Sequence, residues 1–177
     1  VRTLAFFRRF EVSGSAGDFD MGEVYHLVTN EPAFGVQAAG RLITAAFPRW
    51  VHDLALLVES VEAVRPAGAL PDWQPGAVVR LPFCTSICAD GEAVCSQALM
   101  ALADSAMMIA CSAAWNGYRA VSTLDQTAHF LRPATFDVIA DARVVRIGHN
   151  TGFGRVVMLD AAANRPVGMV ASACSIL

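Results

Sequence analysis

The sequence predicts an α+β fold in which a curved antiparallel β-sheet wraps around one long central helix. Three observations carry this. Residues 96–115 are an almost unbroken run of alanine, leucine, methionine and other small or apolar residues. These are good helix formers, and they cover nearly every direction around the axis, so the helix should be buried on most sides. Four strand-like segments follow, roughly 119–130, 136–147, 152–160 and 166–176. The last two connections, at 148–152 and 163–166, are too short for helical crossovers. Antiparallel neighbours are therefore expected, with the four strands forming a meander.

Taken in order, residues 1–49 read as an N-terminal extension with a short helix, and residues 50–177 as the folded domain. The stretch SGSAGDFD is a break without visible chemistry. VQAAGRLITAAF, 36–47, predicts a helix that Pro48 stops. LALLVESVEAV, 54–64, reads as a strand from its β-branched content and the Pro-Ala-Gly turn after it. AVVRLPF, 77–83, is a second strand, entered through the Gln-Pro-Gly turn at 74–76. Residues 84–94 read as a loop with Asp90-Gly91 at its turn. The long helix ends at Asn116-Gly117, a pair that tolerates the left-handed conformation.

Of the 177 residues 55% are hydrophobic and only 16% charged, against averages of roughly 45–50% and about 25%. One small core does not need so much apolar surface, and burial against a second subunit is expected. The net charge of -3 provides no broad basic face for nucleic acid or an anionic membrane. All 13 basic residues are arginine, so anion contacts would use guanidinium forks. The five cysteines read as small buried hydrophobes of a reducing compartment. Cys84, Cys88 and Cys95 fit no familiar zinc spacing, and no metal is expected. VRTLAFFRRF lacks a cleavage segment, and Asp104 interrupts the longest apolar stretch. The expected place is the cytoplasm, with no membrane partner.

LMALADSAM at 99–107, AVSTLDQTAHFLRPA at 120–134 and ADARVVRIGHNTGFGRVVMLD at 140–160 together resemble the PaaI-like acyl-CoA thioesterases of the hotdog fold. VGMVASACSIL continues the likeness through the last strand, so it covers roughly residues 50–177. The resemblance implies a helix enclosed by a curved sheet and a homodimer or homotetramer with active sites between subunits. It also implies an acyl-CoA substrate and no cofactor. The family's catalytic acid falls on Asp104, as nucleophile or as general base for a water. Thioester hydrolysis further needs donors for the carbonyl oxygen, which helix-start N–H groups can supply. At that place the family commonly reads His-Gly-Gly, whereas this chain has Cys95-Ser96-Gln97. Ser96 and Gln97 still offer backbone donors, and Ser96 also suits a helix cap.

Thr123, next to Ser122, matches a strand position where relatives place a hydroxyl, and alternation lets only one of the two face the site. Asp125 is expected to be structural, and Asp90 is a weaker polar candidate in the loop before the helix. Arg132, Arg146, His149 and Arg155 are candidates for the coenzyme A phosphates. Two other readings are kept. The altered Cys95-Ser96-Gln97 stretch suits a hotdog module that binds acyl-CoA or a protein without turnover. His129 invites comparison with hotdog hydratases and dehydratases, and a triad of Ser96, His129 and Asp104 can be drawn.

Overall fold

The computed structural model describes residues 33–89 and 92–176; the SGSAGDFD segment and the Asp90-Gly91 turn lie outside the described residues. Among the described residues the order begins with helices α1, Val36–Ala46, and α2, Arg49–His52, followed by strands β1, Leu57–Glu62, and β2, Gly76–Leu81. A 3-10 turn at Thr85–Ile87 leads into a small hairpin of β3, Cys88–Ala89, and β4, Ala93–Val94. The apolar run then forms α3, Ser96–Ala114, and the chain closes with β5, Val121–Phe130, β6, Val138–Ile147, β7, Thr151–Asp160, and β8, Arg165–Ile176.

Thirteen of the 19 residues of α3 are buried. By length and composition this helix would pass as a membrane span, but its apolar surface is already taken up by packing inside the protein. Asn116 ends it with a φ of 52°. The N–H groups of Asn116 and Gly117 donate to Ala113 and Ser112, satisfying carbonyls that the last turn would leave open.

The larger strands form one antiparallel sheet in the order β1-β2-β6-β7-β8-β5. Along β6, Val138, Ala140, Ala142 and Val144 alternate into the core. Gly154 marks a close approach of the α3 side chain Met107 to β7. A Cβ there would stand 2.2 Å from the Met107 methyl and 2.8 Å from the Arg143 carbonyl oxygen.

The expected four-strand meander is corrected. β6, β7 and β8 follow one another, but β5 lies at the sheet edge beside β8, and β2 takes the place next to β6. β2 turns Ala77, Val79 and Leu81 wholly inward. β5 carries Thr123 and Gln126, which could not occupy that dry central position without burying unpaired polar groups.

The expected helix at 36–47 is α1, which buries Ala38, Ala39, Leu42 and Ile43 while packing on β1 and α3. Its corner with α2 is pinned where the His52 imidazole Nε2 meets the Ile43 carbonyl at 3.0 Å. The cysteines divide. Cys111 and Cys174 are buried with their sulfurs 3.6 Å apart, but Cys84 is exposed and Cys88 and Cys95 are only partly covered. The reading of all five as buried hydrophobes therefore holds for two, because the 84–95 segment runs along the surface.

Candidate active site

The sheet does not cover α3 completely. Gln97, Met100, Asp104 and Met108 all escape full burial. Their spacing of three, four and four residues places them on one stripe of the helix. Asp104 thus lies where the core is open, which is how an otherwise apolar helix keeps a carboxylate without burying an unpaired charge.

Two side chains of β5 hold that carboxylate. The Thr123 hydroxyl donates to Asp104 Oδ1 at 2.7 Å, and Gln126 Nε2 donates to the same oxygen at 2.9 Å. Asp104 Oδ2 accepts no hydrogen bond from the described residues and remains available to a reacting group. Strict alternation would place residue 126 opposite residue 123. β5 instead shifts register between Thr123 and Asp125, where Thr123 pairs with Cys174 and Asp125 with Ala173. Leu124 is the extra residue of a bulge, and the bulge brings Gln126 round to the face of Thr123. Sequence reasoning missed Gln126 because no residue type announces that shift.

The same bulge places Asp125, Thr127 and His129 on the other face of the strand. His129 is cross-strand to the exposed Met169, away from Asp104. The triad of Ser96, His129 and Asp104 is therefore not formed, and the described residues present no histidine–carboxylate pair of the hydratase kind at this site.

At the start of α3, Cys95 is the capping residue and makes no side-chain cap. Ser96 is already helical; its hydroxyl donates to Gln97 Oε1 at 3.3 Å, so its expected role as cap is corrected. Helix-start amides without a side-chain cap carry partial positive charge and suit a developing anion. Ser96, Gln97, Asp104 and Thr123 share the walls of one groove of about 530 Å³, with Trp50, Met100, Gln126 and Phe130 completing most of it.

The four cationic candidates do not converge. Arg132 lies in the loop after β5, where Nη1 donates to the Pro166 carbonyl at 2.9 Å. It lines a shallow space that shares Ser96 and Phe130 with the groove. Arg146 is exposed near the β6–β7 turn, and His149 sits in that turn against the Asn150 side chain. Arg155 lies on the outer face of β7, lining a different hollow with Glu62, Asp141 and Arg143. Only Arg132 neighbours the groove within one chain. Among the described residues, no cluster of three or more histidine, cysteine or acidic groups could hold a metal ion.

One helix wrapped by this sheet defines a hotdog-fold protein, and the comparisons agree. Residues 98–164 match the model of the Thioesterase superfamily, a span that contains Asp104, Thr123 and Gln126 but begins just after Ser96 and Gln97. The E. coli PaaI protein of the phenylacetic acid degradation operon superimposes with a TM-score of 0.63 at 19% identity, over 80% of this chain and 95% of that one. A thioesterase of Haemophilus influenzae gives 0.62 at 18% identity, covering 78% and 90%. A conserved protein of Pseudomonas aeruginosa gives 0.61 at 22%, covering 74% and 95%. At such identities these likenesses speak for the fold. No curated protein matches the chain. The resemblance to PaaI-like hotdog thioesterases is borne out, and thioester hydrolysis is the class of reaction that the superfamily match supports.

Proposed function

We propose that the protein hydrolyses acyl-CoA thioesters to the free acid and coenzyme A. The observation that carries this reading is the carboxylate of Asp104, anchored through one oxygen and, among the described residues, open through the other, in a groove that includes an uncapped helix start. Oδ2 attacks the thioester carbonyl or takes a proton from the water that does so. Either route needs a carboxylate held in a fixed orientation. The backbone N–H groups of Ser96 and Gln97 supply donors for the carbonyl oxygen as its charge grows. The bond to sulfur then breaks. On the general-base route the proton held by Asp104 passes to the departing thiolate. On the nucleophilic route water hydrolyses the mixed anhydride formed on Asp104, frees the acid and supplies the thiol proton. Of the four candidates, Arg132 is the one whose place among the described residues suits the phosphates within one chain. Arg146, His149 and Arg155 would serve only where an adjoining copy brings them to its own groove.

The reading includes a homodimer or homotetramer. In one chain the groove is open to solvent beside the edge strand β5. A second copy there would exclude water and strengthen every electrostatic interaction inside. Asp104→Asn removes the charge with little change of shape, and it should lower kcat by about 10²–10⁴ on any acyl-CoA that the protein cleaves. Thiol release measured over an acyl-CoA panel tests this, and unchanged turnover would refute the role of Asp104. Cys95-Ser96-Gln97 supports a second reading, a binder without turnover. Tight binding of acyl-CoA with no thiol released across the panel would establish it.

A further inference from the structure

Beside the groove lies a smaller and more closed recess of about 120 Å³, formed where the α1–α2 corner meets α3. Phe47, Pro48, Trp50 and Val51 supply one side, and Ala101 and Met108 the other. Apart from Asp104 and Ser105, every residue lining it is apolar. Trp50, Ala101 and Asp104 line both spaces, so the recess and the groove adjoin at the carboxylate. Ala101 precedes Asp104 by three residues and therefore stands on the same side of α3.

From this arrangement we infer that the recess receives the acyl group, that it limits the substrate to short acyl chains, and that Ala101 and Met108 set the limit. The inference rests on the thioesterase reading and adds the class of acid released. A thioester whose carbonyl lies against Asp104 has two arms. The polar pantetheine arm can follow the open groove, while the acyl arm gains most from a dry apolar space. Size then decides the class. An apolar cavity of about 150 Å³ takes a benzene ring, so this smaller recess of about 120 Å³ takes an acyl group of at most about six carbons, straight or branched. The tail of a long-chain fatty acyl group has no room behind Ala101. The alanine is itself informative, because a larger side chain at that position would fill the entrance.

The test is kcat/KM over straight-chain acyl-CoAs from acetyl to palmitoyl for the wild-type protein, Ala101→Leu and Met108→Ala. The wild type should peak at or below about six carbons and fall at least about tenfold by the decanoyl ester, since each misfit methylene in an apolar pocket costs a factor of about ten or more. Ala101→Leu should move the peak towards acetyl. Met108→Ala should move it one or two carbons longer, and it keeps the test decisive if the leucine variant folds poorly. A wild-type peak at eight carbons or more, or an unchanged profile in both variants, overturns the inference while the thioesterase reading stands. Failure to cleave any ester overturns that reading and this inference with it.

Discussion

Asp104 owes its usefulness to the unequal situation of its two oxygens. Oδ1 receives Thr123 and Gln126, and each hydrogen bond to a charged group stabilises by about 1.5–3 kcal/mol while fixing the carboxylate plane. Gln126 is thus a positioning residue on this reading. Gln126→Leu should lower kcat by about 10–100-fold with little change in KM, because a misplaced reacting group weakens the chemical step more than binding. Gln126→Glu keeps the shape but places a second carboxylate beside the first. Like charge disfavours ionisation, so the acid limb of the pH–rate profile should move upward. An unmoved limb would show that the ionised Asp104 carboxylate does not govern the rate, and steady-state kinetics from pH 4 to 9 checks this. Asp104 was legible as an isolated carboxylate in an apolar helix, whereas its role and the choice of Thr123 came from the family resemblance. Gln126 was not legible, because its contact depends on an extra residue at Leu124 that leaves no mark in the composition.

At the scale of elements, two carboxylates tie the early strands to β6 and the segment leading into it. Asp137 accepts the Phe83 backbone N–H at 2.8 Å and an Arg80 N–H at 3.1 Å. That backbone donor, helped by Arg80, holds its carboxyl below the usual range. Glu62 takes two N–H groups of Arg143, at 2.6 and 2.9 Å, and is lowered chiefly by that pairing. A depressed folded-state value means that the unfolded chain binds more protons on acidification. The stabilisation is therefore present above about pH 4 and is lost as the pH falls through the folded values. Thermal melts should show Tm falling between pH 5 and pH 3, and Asp137→Asn should flatten part of that fall. An equally steep fall in the variant would show that Asp137 does not contribute. Helix and strand positions followed from local patterns, with α1 ending before Pro48 and α3 before Asn116-Gly117. The place of β5 did not, since strand order depends on which strand can fill the dry centre beside β6.

Over the whole molecule, β5 is the exposed feature. Among the described residues it pairs on one side only, and Leu124, Phe130 and Leu131 stand out in or just beyond it at 60%, 46% and 47% exposure. An unpaired edge of ten residues with apolar side chains is a template for another strand. In the proposed assembly a second copy pairs there and roofs the groove. Sedimentation should then show a dimer or tetramer. Thr127→Pro, which removes a backbone donor and stiffens the edge, should shift the protein towards monomer and lower activity together. A wild-type protein that sediments as a monomer at micromolar concentration would refute the assembly.

The sequence by itself determined the helix, the strands that enclose it and the carboxylate it carries, because periodicity, turn chemistry and an isolated charge are local properties. Its apolar excess also pointed to a surface that a single chain leaves uncovered. Tertiary structure decided the rest: the edge position of β5, the bulge that joins Gln126 to Thr123 at Asp104, and the recess behind Ala101. These depend on which surfaces meet after the chain closes, and packing between distant segments has no local signature.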